Sequence, residues 1–294
     1  MKRIFISTIL IISGFIFLSF MWEKSDNSLK RKGLKGKVKY MYEHCFYAKQ
    51  KDGKTVKGKL NYVVLWKYDS LGNELLKSEY DCDGFYKGDT INNTHYYKYD
   101  ANGKIIEMYD DPFFNKDGSL KRDEGFATKS VNKYDGNGKL IEVYDYGFEI
   151  TRLDFKVIYK YDDKGNMIEE DEYEKGINFV EKILYTYDDK RNITKITNCR
   201  PVDSVSGMSV FKYDSAGNEI EDSIVYGNGS FGRFTKKFDY NGNQIEMKTY
   251  TERSKLPRTS KYIYVYDKMG NYVKEVNYEN GKPEYITERK IEYY

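Results

Sequence analysis

The sequence predicts an all-β protein, an antiparallel meander of about eight tandem hairpin repeats with roughly 17 strands. Three observations predict this class: a Tyr-Asp dipeptide recurs at near-regular spacing, apolar and polar residues alternate before it, and no capped helical period follows Trp22. Because open sheets rarely exceed about ten strands, we expect the meander to be twisted into a spiral, an open barrel or an extended sheet.

The first 22 residues differ from the rest of the chain. Met1, Lys2 and Arg3 precede an uncharged run from Ile4 to Trp22. A basic start before an apolar run is typical of a secretory signal peptide, and the run is also about long enough to be an uncleaved membrane anchor. The first cysteine is Cys45, well beyond the run, so attachment as a lipoprotein is excluded.

The chain therefore divides into three parts: a signal peptide or anchor (1–22), a basic linker (23–36) and a repeat domain (37–294). We expect export to the periplasm, the cell surface or the medium, with membrane contact through residues 4–22 if the run is not cleaved. The basic residues that follow the run leave a second topology open, because positive charge next to an anchor favours the cytoplasmic side.

The repeat is defined by the dipeptide Tyr-Asp, once Phe-Asp, with a glycine three residues after the aspartate in seven of eight units. The fifth unit has Arg191 in place of the glycine. An apolar residue, such as Ile168, comes three positions later. The repeat positions, which we interpret as structural, are Tyr68, Asp69, Gly72, Tyr99, Asp100, Gly103, Tyr134, Asp135, Gly138, Tyr161, Asp162, Gly165, Tyr187, Asp188, Tyr213, Asp214, Gly217, Phe238, Asp239, Gly242, Tyr266, Asp267 and Gly270.

Each repeat position has a physical reason. Before Asp162, the residues Phe155, Val157, Tyr159 and Tyr161 share one parity, which indicates a strand with one buried face. Asp-x-x-Gly suits a type I turn whose glycine adopts the left-handed conformation and produces a bulge. Since the bulge shifts side-chain parity, the face of the following apolar residue stays open.

The ends of the domain are predicted to add strands. An N-terminal hairpin is expected at about 38–48 and 58–68, and a final arm at 285–294. We expect this arm to close or cover an edge of the sheet, because exposed edges invite aggregation.

These residues resemble the YD-repeat, or RHS-repeat, family, and the chain is similar to short exported repeat proteins of the Bacteroidetes. The resemblance covers residues 60–278 and rests on "YKYDDKGNMI", "FKYDSAGNEI", "YKYDANGKII" and "YVYDKMGNYV". It implies a spiralling β-strip, which in large relatives forms a toxin shell or an adhesion barrel, and it is sometimes linked to carbohydrate binding. Eight units are expected to be too few for a closed shell.

Composition excludes several classes of partner and scaffold. The chain has 49 basic and 46 acidic residues, which gives no basic face for nucleic acid. Three cysteines allow at most one intramolecular disulfide, so a disulfide framework is excluded.

No catalytic set is recognisable, and we expect no enzyme activity and no cofactor. The two histidines, His44 and His95, lie in different units. The carboxylate pair Asp162 and Asp163 could serve a glycosidase, but its position at a hairpin tip favours turn geometry. No metal site is predicted beyond a weak calcium-loop match at Asn115, Asp117 and Glu124, which lacks an acidic first ligand.

The sequence thus predicts a non-enzymatic exported or cell-envelope protein, a scaffold or binding module for an unknown protein or glycan. Two alternatives stay open: carbohydrate binding through exposed tyrosines, and a relative or remnant of a repeat toxin. If the tyrosine rows form the core instead, a ligand is expected where the units differ, at residues 81–95, 110–130 and 199–209.

Overall fold

The chain folds into a single antiparallel sheet that closes into a barrel. The computed structural model describes residues 28–81, 91–111, 128–147, 152–201, 204–252, 254 and 256–294. Within them lie 18 strands and one short helix. The all-β meander predicted from the repeat is therefore confirmed, with 18 strands rather than roughly 17.

The elements follow one another as a simple up-and-down meander. In chain order they are α1 (Ser28–Arg31), β1 (Val38–Lys51), β2 (Lys54–Tyr68), β3 (Glu74–Asp81), β4 (Ile91–Tyr99), β5 (Ile105–Asp111), β6 (Thr128–Tyr134), β7 (Leu140–Tyr146), β8 (Leu153–Tyr161), β9 (Met167–Glu174), β10 (Asn178–Tyr187), β11 (Ile193–Arg200), β12 (Ser204–Tyr213), β13 (Glu219–Tyr226), β14 (Phe231–Phe238), β15 (Gln244–Thr251), β16 (Arg258–Tyr266), β17 (Tyr272–Glu279) and β18 (Lys282–Tyr293).

Closure depends on β1, which pairs with both β2 and β18. The final arm thus closes the sheet, as expected, and the open forms are ruled out. The N-terminal hairpin is longer than predicted, since β1 and β2 continue to a tight turn at Asp52 and Gly53. The final strand also begins earlier, at Lys282.

The Asp turns have the geometry that their sequence predicts. In the first unit, Asp69 Oδ1 accepts the backbone N–H groups of Leu71 and Asn73, each at 2.9 Å. The Gly72 N–H donates to the Asp69 carbonyl at 3.1 Å, and Gly72 has a φ of 89°. Arg191 takes the same left-handed conformation, with a φ of 66°. The fifth unit therefore keeps the turn without its glycine.

The core lies on the inner face of the barrel, because a single closed sheet can bury side chains only within it. Val157, Tyr159 and Met167 are buried there, while the intervening Lys160 is exposed. The register between β8 and β9 shifts between Lys160 and Tyr161. This shift leaves Ile168 as the extra residue of the bulge, 37% exposed. The buried position of the second arm is therefore two residues after the glycine, not three.

The repeat tyrosines connect neighbouring hairpins. In five units in succession, the tyrosine hydroxyl donates to the backbone carbonyl two residues after the fourth turn position of the preceding unit, which is glycine in four cases and Arg191 in the fifth. The pairs are Tyr99 with Glu74, Tyr134 with Ile105, Tyr161 with Leu140, Tyr187 with Met167, and Tyr213 with Ile193. Each ring is half-buried, with its apolar body in the wall and its hydroxyl used within the protein.

Candidate binding surfaces

The meander sorts its connections onto two rims. Because the strands are antiparallel and follow one another in order, all eight Asp turns lie at one end of the barrel, which we call the turn rim. The opposite rim carries the β1–β2 turn and the connections between successive units. The repeat aspartates and glycines thus share one rim and serve to form its turns.

The turn-rim carboxylates are occupied by hydrogen bonds. Asn192 donates to Asp188 through its side chain and its backbone amide, which lowers the pKa of Asp188. Asp162 is held in the same way by Asn166, at 2.7 and 2.8 Å. These contacts engage both carboxylate oxygens of Asp162 in the turn, as its position at a hairpin tip predicts.

Residues 28–36, which the composition marked as a basic linker, pack across the turn rim where the barrel closes. The Leu29 N–H donates to the Gly72 carbonyl at 3.2 Å, and Leu29 is buried. Lys32 pairs with Glu74 at 2.9 Å and lies over the Trp66 ring. At the other side of the closure, the Lys35 N–H donates to Asn271 Oδ1 at 2.7 Å. The segment therefore bridges the first and last units.

The opposite rim is where the unit lengths differ. The strand ends that flank the two long insertions, at Asp81, Ile91, Asp111 and Thr128, all lie there. The insertion expected at 199–209 is wrong: β11 continues to Arg200 and β12 begins at Ser204, so most of that range pairs within the sheet and only residues 201–203 connect the two strands. Residues 82–90, 112–127 and 202–203 themselves lie outside the described residues, and so do the calcium-loop candidates Asn115, Asp117 and Glu124. The 1–22 segment also lies outside them.

The outer wall carries a regular set of ion pairs. A lysine two residues before the turn aspartate meets a glutamate nine residues later in five units. The pairs are Lys98–Glu107, Lys133–Glu142, Lys160–Glu169, Lys212–Glu221 and Lys237–Glu246, with N–O distances of 2.5 to 3.3 Å. Such cross-strand pairs keep the outer face in water and support the register.

The inner wall, in contrast, holds carboxyl groups away from water, which the sequence pattern did not reveal. Burial raises the pKa of Glu170 to about 8, although Tyr185 donates a hydrogen bond to it. Burial also raises the pKa of Glu172 to about 7, and the facing Glu181 and the nearby Asp145 add to the shift. Glu170 Oε2 and Glu172 Oε1 have no hydrogen-bond partner among the described residues. At neutral pH Glu170 is therefore mostly protonated.

Other groups offer limited chemistry. His95 Nδ1 contacts Asp110 across β4 and β5. Among the described residues, no group of three or more His, Cys, Asp or Glu side chains is arranged to hold a metal ion. No helix in the described part of the chain is long and apolar enough to cross a membrane.

Comparisons with known proteins show only distant likeness. No protein-family model matches the chain. A search of curated proteins also finds no match. Among solved structures, a porin-like protein from Bacteroides uniformis is 11% identical with a TM-score of 0.42, over 87% of this chain and 96% of that one. A porin-like protein from Bacteroides vulgatus is 11% identical with a TM-score of 0.28, over 87% and 98%.

The structure of TcdB2-TccC3-Cdc42 is 14% identical with a TM-score of 0.31. That match covers 79% of this chain but only 15% of the other, so the present chain spans a small part of its length.

Proposed function

We propose that this protein is a non-enzymatic exported or envelope-associated barrel that acts as a scaffold or binding module for a protein or a glycan. The observation that carries the proposal is the separation of the two rims. Regular turns and the N-terminal segment occupy one rim, while every long insertion begins and ends at the other. Variable loops on a rigid support are a common way to build a binding surface.

The position of the N-terminal run indicates how the two rims are oriented relative to a membrane. Only residues 23–27 lie between the run and Ser28 at the turn rim. Five residues reach at most about 17 Å when fully extended. If the run stays in a bilayer, the turn rim is therefore held near the membrane and the opposite rim points away from it. If the run is cleaved, the same rim is free in the exported protein.

The alternative of sugar binding through the tyrosine rows gains no support from their packing. The hydroxyls that would face a sugar donate to backbone carbonyls instead, as Tyr161 does to Leu140 at 2.6 Å. On this proposal a glycan binds at the opposite rim, where the unit lengths differ. A glycan array on the folded protein tests this directly, and an absence of binding leaves protein partners as the proposed class.

Accessibility to a membrane-impermeant maleimide tests the location and the orientation. Ile177→Cys places a thiol on the opposite rim, and Tyr240→Cys places one on the turn rim; the native residues are 80% and 92% exposed. Both thiols are expected to react, above the level of the parent chain, in cells whose inner membrane is intact. With an uncleaved run, Ile177→Cys reacts faster. Labelling only after the inner membrane is broken would place the barrel in the cytoplasm and contradict the proposal.

A further inference from the structure

The outer wall of β10 to β14 combines uncharged side chains with cations that form no ion pair among the described residues. Cross-strand pairing places five uncharged side chains in one row: Leu184, Thr197, Met208, Val225 and Phe231. They face outward, since the alternate residues Ile183, Tyr185 and Phe211 are buried inside. Leu184, Val225 and Phe231 are 37%, 37% and 40% exposed. We call this row, together with Val205 and Val210, the apolar row.

The charge pattern changes at the same place. In the fifth unit the usual Lys–Glu pair is replaced by Thr186 and Lys195, so a lysine stands where five other units have a glutamate. Lys195 is exposed, lies next to Val210, and forms no ion pair with a described residue. Arg233 stands further along, opposite Ser223, stacked on Tyr250 at 4.4 Å and also without an ion pair in the described part.

Two acidic side chains beside the row are paired with lysines. Glu169, directly opposite Leu184, pairs with Lys160 and Lys182. Glu221 on β13 pairs with Lys212 at 2.8 Å. An exposed apolar surface flanked by cations that have no partner is complementary to a ligand that carries both apolar groups and negative charge.

We propose that the apolar row, with Lys195 and Arg233, binds an acidic polypeptide segment that carries apolar side chains. This inference rests on the proposed role as a binding module, but it concerns the side wall rather than the rim. Charge complementarity favours an acidic partner, and the apolar row provides the surface that contacts the apolar side chains of that partner.

The shape of the wall favours an extended segment over a helix. The outer face of a closed sheet is convex around the barrel, so a straight helix laid across the strands would contact few of them. Strands lie about 4.8 Å apart, so the row of five strands is about 19 Å long, which an extended chain covers in about six residues. Lys195 and Arg233 are three strands apart, a distance of about 14 Å. In an extended peptide, two carboxylates about four residues apart span the same distance.

The test is direct binding to the purified barrel, whose outcome does not depend on where the protein is located in the cell. The probe is a fluorescein-labelled ten-residue peptide with two glutamates four residues apart and leucine and phenylalanine between them. Fluorescence polarisation is expected to show saturable binding that weakens with salt. The same peptide with glutamines in place of the glutamates is expected to bind at least about tenfold more weakly.

Variants identify the site. Lys195→Glu introduces the glutamate that five other units have and is expected to weaken binding by about tenfold or more, because it repels the acidic peptide. Val225→Thr and Phe231→Ser are expected to weaken it as well. Matched controls outside the row are Lys268→Glu on the turn rim and Ile263→Thr, whose native side chain on the outer face of β16 is 58% exposed. Both controls are expected to bind like the parent.

Four results would overturn the proposal. The first two are no binding of the probe by the folded protein, and equal losses of peptide binding in Ile263→Thr and Val225→Thr. The third is Lys195-dependent binding of phosphatidylglycerol vesicles without binding of the peptide. The fourth is dimerisation of the barrel that Phe231→Ser and Val225→Thr abolish. Unchanged urea midpoints ensure that a loss of binding reports the surface, and Val225→Thr replaces Phe231→Ser if the latter fails to fold.

Discussion

Single residues in this repeat act mainly through one hydrogen bond or one backbone angle. The repeat tyrosine combines an apolar ring for the wall with a hydroxyl for the next hairpin, which explains why phenylalanine at Phe238 is the exception among eight units. In the first unit no earlier Asp turn precedes Tyr68, and its buried hydroxyl has no hydrogen-bond partner in the described part of the chain. The repeat tyrosine therefore stabilises the contact between neighbouring units as well as the hairpin of its own unit.

Tyr161→Phe tests this role. It removes the hydroxyl that donates to the Leu140 carbonyl and keeps the ring, so we expect a loss of about 1 kcal/mol in the free energy of unfolding. Urea denaturation measures the change. Tyr240→Phe is the matched control, because that side chain is 92% exposed, and it should leave stability unchanged. Equal effects in both variants would show that the hydroxyl contact contributes nothing.

Glu170→Gln tests the buried carboxyl. Its pKa is about 8 in the folded protein against 4.5 in an unfolded chain. A raised carboxyl pKa contributes stability that is fully present below about pH 4.5 and is lost as pH rises through about 8. Glutamine cannot ionise, so the variant should lose less stability between pH 5 and pH 9 than the parent, by on the order of a few kcal/mol.

Urea denaturation at the two pH values measures this difference. Glu174→Gln on the same strand is the control, because Glu174 is exposed and its substitution should keep the pH dependence of the parent. A Glu170→Gln variant with the parent's pH dependence would mean that another group carries it, with Glu172 the first to examine.

At the scale of the element, the hairpin is specified by its turn. The Asp side chain holds two backbone amides and the fourth position adopts a positive φ, so the strand register follows from four residues. The fifth unit shows how much the turn tolerates, because Arg191 adopts this conformation without being glycine. There, the backbone amides of Lys190 and Asn192 donate to Asp188 Oδ1, and these hydrogen bonds maintain the turn.

Gly217→Ala measures the contribution of the positive φ alone. Gly217 has a φ of 87°, and a Cβ there would meet nothing within 4 Å, so the cost is conformational. We expect a loss of about 1 kcal/mol in the free energy of unfolding. Gly136→Ala is the control: a Cβ there also meets nothing within 4 Å, and its φ lies outside the left-handed range. If Gly217→Ala left the free energy of unfolding unchanged, the positive φ at this position would not strain an alanine.

At the scale of the whole molecule, stability depends on closing the ring of strands. The closing strands are joined inside the barrel by Arg289 on β18, whose Nε lies 2.7 Å from Glu43 Oε2 on β1 and whose guanidinium stacks on Tyr272. Both partners of this ion pair are largely shielded from water. Residues 28–36 add a second connection across the same closure at the turn rim.

Arg289→Leu is expected to destabilise the barrel by about 3 kcal/mol or more, because it leaves Glu43 buried without its partner. Urea denaturation measures the loss. Arg258→Leu is the control, since Arg258 pairs with Glu279 on an exposed part of the wall, where such pairs contribute at most about 1 kcal/mol. Similar losses in the two variants would show that the pair does not hold the closure.

Much of this architecture can be predicted from the sequence because its causes are local. Period-two alternation, the Asp-x-x-Gly turn and the unit spacing define the hairpins and their order, and the pattern of the last arm predicts that it closes or covers an edge of the sheet. The sequence could not assign Ile168 to a face, because the bulge changes parity at that residue. It also left the tyrosine rows open between core and binding surface, since a tyrosine suits either.

The sequence by itself determined the strand class and the turns. Only the tertiary structure decided that β18 meets β1, that the insertions share one rim, that Glu170 and Glu172 lie inside the wall, and that five uncharged side chains from three successive units form one row outside it. The physical reason is distance along the chain: turns and strands form from neighbouring residues, whereas closure and the apolar row join residues that meet only when the whole sheet is assembled.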